Sequence, residues 1–470
     1  CGFDVTLGVI GTGAGQTALL NYLEKTRTVI NPGLNRKKKP YDPVVFPEFP
    51  GWDKGNAYGR TFECPEHFRK QILQEQFTSA VKNGAVEVAG KAILDPVKKE
   101  VAGIAAYDPA PRVIVVVLPT QVEDALRFVG AQARNQATPD TPAEKAKKKQ
   151  EREAKKTGQV FMDFSFDNAE APTRETENYW NLHHALKAHT MGLGIPLQIV
   201  WESTLRGENL RQDPASTAWN LMTALFYKAG NIPWQPVGLP ADTCYIGVSF
   251  YRIGQGRGAE IHTSFAQVFG AREGLVMKGD RAVVDETKGD RSPHLTEAGA
   301  EKLIRGALEL YTQNAGAKPK RVVVHKTSRY WPEELKAFQL ALEGTSHVDL
   351  LALERLGLRC CRRGEKPPIR GTVLQLTSKR FLVFTGGYIP FLRAYPGFRV
   401  PHPVDVVEHH GESSIELLAR EIMILTKLNW NSCAFASSQP ITIRFARSVG
   451  TILTSLPAGV EPQAKYRYYM

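Results

Sequence analysis

Four polar residues in the middle of the chain have the types and spacing to hold an anion: His183, Lys187, Gln198 and Lys228. His183 and Lys187 stand four apart in NLHHALKAHT, so on a helix they share a face. Gln198 opens the strand-like run LQIVW, and Lys228 closes the following helix just before Ala229-Gly230. Two lysines and an amide donor converging on one spot would make an anion pocket, with a terminal phosphate as the obvious guest. For the i,i+4 pair alone, a solvated helix face is the simpler explanation. Gln198 and the KAGNIPW turn favour the pocket.

This arrangement resembles the MID domain of Argonaute proteins, which grips the 5′-phosphate of a guide strand. In that family an aromatic, His or Arg residue is followed four residues later by Lys. A Gln comes about a dozen residues on, and a second Lys sits beside a small-residue turn. His183, Lys187, Gln198 and Lys228 fill those slots in order.

The elements needed to position them are legible. Residues 112–119, RVIVVVLP, read as a buried strand bounded by proline, with a helix expected through DALRFVGAQA. The charged, apolar-poor stretch at about 131–159 reads as an exposed insertion. A helix carrying His183 and Lys187, the strand LQIVW and a helix from Ala215 to Lys228 complete an α/β unit. Beyond the prolines around Trp234 the pattern changes. CYIGVSFYRI, TSFAQVFG and LVMKGDRAVVDE read as antiparallel strands, the last turning at Lys278-Gly279-Asp280. The helix LTEAGAEKLIRGALELYTQNA, the strand 321–325 and a helix after Pro332 follow. Three strands, a helix, a strand and a helix is the order of the RNase H fold, which the PIWI domain of Argonautes has. PPIRGT, FLVFTGGY, FRVPHPVDVV and LTKLNWN also resemble PIWI, while GVIGT and FPEFPGW resemble the opening of short prokaryotic Argonautes. The expectation is an α/β protein with a Rossmann-like MID domain at 1–236 and an RNase H-like PIWI domain at 237–470. The N and PAZ domains of long Argonautes have no room.

RNase H-type cleavage uses two metal ions held by carboxylates. The resemblance puts the first family Asp at Ser249, at the end of YIGVS, and the second at Thr327, after His-Lys. A hydroxyl stays neutral at pH 7 and cannot replace a carboxylate as a metal anchor. Glu286 alone could not hold a metal pair, and the fourth ligand should fall near Asn431 or Ser432. The reading is a degenerate site without catalysis. An unrelated site at Asp405, Glu408 or His409-His410 is weaker than a strand end and loop.

Composition agrees with a polyanionic partner. The 470 residues carry a net charge of +12, with an ordinary 42% apolar content. Six cysteines show no C-x-x-C pair, which suits reduced thiols in a cytosolic protein. No apolar run is long enough to span a bilayer and no signal peptide is visible, although the chain opens at Cys1 rather than Met. GVIGTGAGQ offers Gly11, Gly13 and Gly15, but Gln16 stands where a dinucleotide fingerprint needs its third glycine. A plain strand-to-helix turn is the better reading, with a nucleotide-dependent enzyme as a distant option.

The resemblance therefore implies a cytoplasmic sensor that binds a 5′-phosphorylated guide, as RNA, and captures complementary single-stranded DNA in defence against plasmids or phage. It implies a heterodimer with an APAZ-containing effector of TIR, sirtuin-like or nuclease type, in which catalysis would reside. It also implies Mg2+ at the guide phosphate, held by the terminal carboxylate of Met470. The alternative is an active guide-directed endonuclease using an unrecognised metal site.

Overall fold

Fully apolar strands such as VIVVVL can be buried on both faces only inside a sheet covered by helices on each side. The computed structural model places that run at the centre of such a layer. It describes residues 2–34, 39–53, 58–82, 86–123, 181–208, 212–253, 260–269, 274–277, 279–284, 292–355, 364, 366–395, 401–430, 432 and 437–470. The helix expected through DALRFVGAQA and the 131–159 insertion lie outside the described residues. Two units emerge, one holding the described residues up to Pro233 with Trp430 and Ser432, the other Trp234–Asn429 and residues 437–470.

In the first unit the order is β1 (Val5–Gly11), α1 (Gly13–Lys25), β2 (Phe62–Glu63), β3 (Arg69–Gln71), α2 (Gln74–Lys82), α3 (Val86–Ala105) and β4 (Val113–Leu118). After the undescribed segment come α4 (Leu182–Thr190), β5 (Leu197–Trp201), α5 (Glu202–Arg206) and α6 (Pro214–Lys228). Among the described residues the strands form a parallel five-stranded sheet, β2-β1-β4-β5 with β3 also on β1. Alternation sorts the central strands onto two cores. Val113, Val115 and Val117 face α1 and α6, whereas Ile114, Val116 and Leu118 face α2, α3 and α4.

The glycine turn has a packing explanation. A Cβ at Gly11 would stand 2.8 Å from the Val117 carbonyl oxygen, and one at Gly15 would stand 3.0 Å from Val117 Cγ1. Thr12 caps α1 by accepting the Gly15 N–H at 3.0 Å. These glycines let β1 and α1 approach β4, as a plain strand-to-helix turn requires.

The second unit runs β6 (Thr243–Ile253), β7 (Glu260–Phe269), β8 (Gly274–Met277), α7 (Glu297–Ala315), β9 (Arg321–Lys326), α8 (Pro332–Ala341) and β10 (His347–Arg355). β11 (Val373–Gln375), β12 (Phe381–Val383), β13 (Val404–His410), α9 (Ile415–Leu425) and α10 (Ile441–Leu453) complete it. The described strands form one mixed sheet in the order β11-β12-β13-β10-β9-β6-β7-β8. Its opening hairpins, helix and parallel return strand are the expected RNase H order. β8 ends at Met277, just before the expected turn, but beyond it Val283 forms an isolated bridge to His294.

On one face Ile246, Val248, Val322, Val324 and Leu350 pack under α7 and α8. Buried charge ties other elements together. Arg321 bonds the carboxylates of Asp349 and Glu421, while His409 and Ser413 also bond Asp349. Asp405 pairs with Arg380 at 2.7 Å, and Glu408 accepts the Tyr330 N–H at 3.0 Å. Asp405, Glu408 and His409 are thus engaged in separate structural bonds.

Candidate functional site

The four candidate anion-binding residues lie on α4, β5 and α6. Asn181 starts α4 by accepting the N–H groups of His183 and His184 at 2.9 and 3.3 Å. Leu182, Ala185 and Leu186 bury one face of the helix, which leaves the half-buried His183 and Lys187 together on another. Gly194, at φ +75°, ends the following turn and releases the chain into β5 through Pro196. In β5, Leu197 and Ile199 enter the core and Gln198 alternates away from them.

Lys228 is the last residue of α6. It is 1% exposed. Its Nζ donates to the Leu197 carbonyl and to Gln198 Oε1, both at 2.7 Å. Gln198 Nε2 donates to the Ile199 carbonyl at 3.1 Å. His183 meets the ring of Trp201 edge-on, with centroids 5.4 Å apart.

Electrostatics make the grouping plain. Burial lowers the Lys187 ammonium from 10.5 to about 8. Burial, then repulsion from Lys187, pushes Lys228 well below its ordinary value. His183 falls to about 3 through burial, then Lys187, His184 and Lys228. The cations feel one another in a desolvated place, which a phosphate dianion would relieve. His183 is thereby kept neutral at physiological pH and adds no charge to the group. Among the four side chains there is no carboxylate, and Gln198 Oε1 is already an acceptor for Lys228. These four side chains would not hold a magnesium ion by themselves, because it would need anionic oxygens that they do not supply. Met470, 3% exposed, lies in the second unit with its N–H donating to the Tyr466 carbonyl. Sequence reasoning missed Asn181 and Trp201; the N-cap preference of Asn was the available signal for the first.

The two hydroxyl positions of the second unit are neighbours. The parallel register pairs Val248 of β6 with Lys326 of β9, so the next residues are Ser249, still in β6, and Thr327, just past the end of β9. The Thr327 N–H donates to the Val248 carbonyl at 3.1 Å. Ser249 is 1% exposed, and the β6–β7 register shifts immediately after it, between Ser249 and Phe250. α10 covers this face. His325 Nδ1 lies 2.8 Å from Thr442 Oγ1, and a Cβ at Gly247 would stand 2.2 Å from the Thr442 carbonyl oxygen. On the opposite face Lys326 is fully buried, bonding Glu334, Ser328 and the Arg329 carbonyl, which fixes the loop after Thr327. Among the described residues no three His, Cys, Asp or Glu side chains group to hold a metal. Glu286 and Asn431 lie outside the described residues. Ser432 is buried and groups with the first unit.

No protein-family profile matches the chain. Its sequence is 24% identical over 287 residues to the protein argonaute of Aquifex aeolicus (strain VF5), covering 60% of this chain and 37% of that protein. Its fold is similar to that of Clostridium butyricum Argonaute bound to a guide DNA and a 19-mer target DNA, with a TM-score of 0.58 at 14% identity. Drosophila Piwi gives 0.54 at 13%, and A. aeolicus Argonaute 0.51 at 16%. Each likeness covers 98% of this chain, which spans about half of each solved chain: 50%, 50% and 49%. Among the described residues no helix is long and apolar enough to cross a membrane.

Proposed function

We propose that this chain, which carries the MID–PIWI fold of Argonaute proteins, binds a short guide by its 5′-phosphate and uses it to capture a complementary strand. The observation that carries this reading is the pairing of Lys228 with Gln198 beside Lys187 and His183, a desolvated cationic pocket within that fold. Lys187 and Lys228 would take phosphate oxygens by charge-assisted hydrogen bonds. His183 would pack beside the terminal nucleotide. Base pairing would then read sequence while the protein holds backbones. RNA guides and single-stranded DNA targets are the substrates the family resemblance favours.

The reading includes a chain that senses and does not cut. Ser249 and Thr327 sit side by side where the resemblance expects metal-binding aspartates, and neutral hydroxyls do not anchor a pair of divalent ions. Catalysis would belong to an APAZ-containing effector bound as a heterodimer, silent until guide and target are loaded, in cytoplasmic defence against plasmids or phage. Whether that effector destroys NAD or nucleic acid is a property of the partner. Sequencing the nucleic acid that co-purifies with the chain tests the first step: short strands with 5′-phosphate ends are expected. Random fragments without them would contradict it. Co-expression with the neighbouring open reading frame, followed by size-exclusion chromatography, tests the partner: a one-to-one complex is expected, and a monomer that gains no activity contradicts it.

A further inference from the structure

The β11 end of the second sheet carries an exposed edge. β11 terminates the sheet among the described residues, and Val373, Leu374 and Gln375 are all exposed. Successive strand residues point to opposite faces, so neither face of β11 is covered. Leu376 is 49% exposed just beyond it, and Ile369, 39% exposed, bridges to Tyr388 alongside.

The backbone points the same way. The Thr372 carbonyl accepts the Phe384 N–H, and the Leu376 N–H donates to the Arg380 carbonyl, both at 2.9 Å. These residues face β12, so alternation turns the N–H and C=O groups of Val373 and Gln375 to the outer edge. Residues 366–395 contain Lys366, Arg370, Lys379, Arg380 and Arg393 and no Asp or Glu. Arg380 is paired with Asp405 of β13, and Arg370 bonds the Thr385 carbonyl, so the cation that the β11–β12 turn presents to solvent is the exposed Lys379.

We propose that β11 is the docking edge for an extended strand of a second protein, one in which carboxylates alternate with apolar residues. Outward N–H and C=O groups together are satisfied by another polypeptide strand. A nucleic-acid backbone supplies phosphate acceptors, which would repel the outward carbonyls. A second copy of this chain would bring cations against cations. A carboxylate of the incoming strand would meet Lys379, and its apolar residues would cover Val373, Leu374 and Leu376. The inference rests on the partner reading above for the partner's existence, but the chemistry of the edge is independent of guide binding.

The test uses a fluorescent synthetic peptide alternating valine with glutamate, titrated into the full chain. A lysine-for-glutamate version and a 5′-phosphorylated RNA strand run beside it. The glutamate peptide is expected to bind at least about tenfold more tightly than the lysine peptide. Val373→Pro removes one outward N–H while keeping the β11–β12 bonds, and should weaken the peptide by about tenfold. Leu376→Glu, which leaves the backbone intact, should weaken it too, and RNA affinity should hold in both variants. Equal binding of the two peptides, peptide binding unchanged in both variants, or displacement of the peptide by RNA would each overturn the inference. Loss of RNA binding alone would instead count against the guide reading and leave the docking edge standing.

Discussion

The Lys228 ammonium donates to the side-chain carbonyl of Gln198 at 2.7 Å, joining the end of α6 to the start of β5. Thirty residues separate the two in sequence, yet the bond fixes the orientation of the amide. With Oε1 accepting from Lys228, Gln198 can offer a phosphate only its Nε2 side. The amide and the lysine therefore act as one preset unit, while Lys187 approaches from α4.

Guide affinity should depend on pH on the alkaline side. Burial holds Lys187 at about 8 in the free chain, and a phosphate guest stabilises its charged form, so the bound value is higher. Below about pH 8 binding needs no proton at Lys187. Above it each complex takes up a proton, and affinity should fall by up to about tenfold per pH unit. Lys228, also lowered by burial, acts in the same direction. His183, at about 3, stays neutral throughout this range. Titration calorimetry from neutral pH to about pH 9 in buffers of differing ionisation enthalpy would read both the affinity and the proton uptake. A flat affinity with no proton uptake would contradict the pocket's electrostatics.

The purified chain, given guide, matched target and magnesium or manganese, should leave the target intact. Ser249 and Thr327 are the basis. Cleavage at a single guide-directed bond, lost on mutation of a nearby carboxylate, would show that a different metal set operates.

Gly247→Ala should destabilise the second unit by about 1–3 kcal/mol, because its methyl would meet the Thr442 carbonyl of α10 and overpack the interface. Chemical denaturation measures this. An unchanged midpoint would mean that α10 is not held against β6 beside Ser249.

A C-terminal tag should impair guide loading, and so should a chelator, if the Met470 carboxylate and the guide phosphate share a divalent ion. Two anions brought together need a bridging cation. Unchanged affinity in both experiments would make residues 466–470 simply the end of the fold.

Much of this was legible in the chain itself. The apolar run at β4 and the alternation at β5 gave the layered sheet, because burial on one or both faces leaves a period in the sequence. Motif spacing brought out Lys187, Gln198 and Lys228, and the parallel register then set Ser249 beside Thr327. Trp201 beside His183 was not legible, since a helix and the next strand meet in three dimensions with no fixed sequence offset. Nor was the pairing of residues 281–284: they look strand-like after the turn, but Val283 finds its bridge at His294. The Gly11 and Gly15 turn was readable only as a poor fingerprint, and its reason, close approach to Val117, needed the packed structure.

The most direct test of the central claim compares guides that differ only at the 5′ end. Affinities of 5′-phosphorylated and 5′-hydroxyl RNA are measured for the unmodified chain, Lys187→Ala and Lys228→Ala. A charge-assisted phosphate contact is worth about 1.5–3 kcal/mol, roughly 10- to 150-fold. The unmodified chain should prefer the phosphorylated guide. Each variant should lose most of that preference while its affinity for the hydroxyl guide changes little. Equal losses for both guides, or no preference in the unmodified chain, would contradict the assignment of this pocket to the guide phosphate.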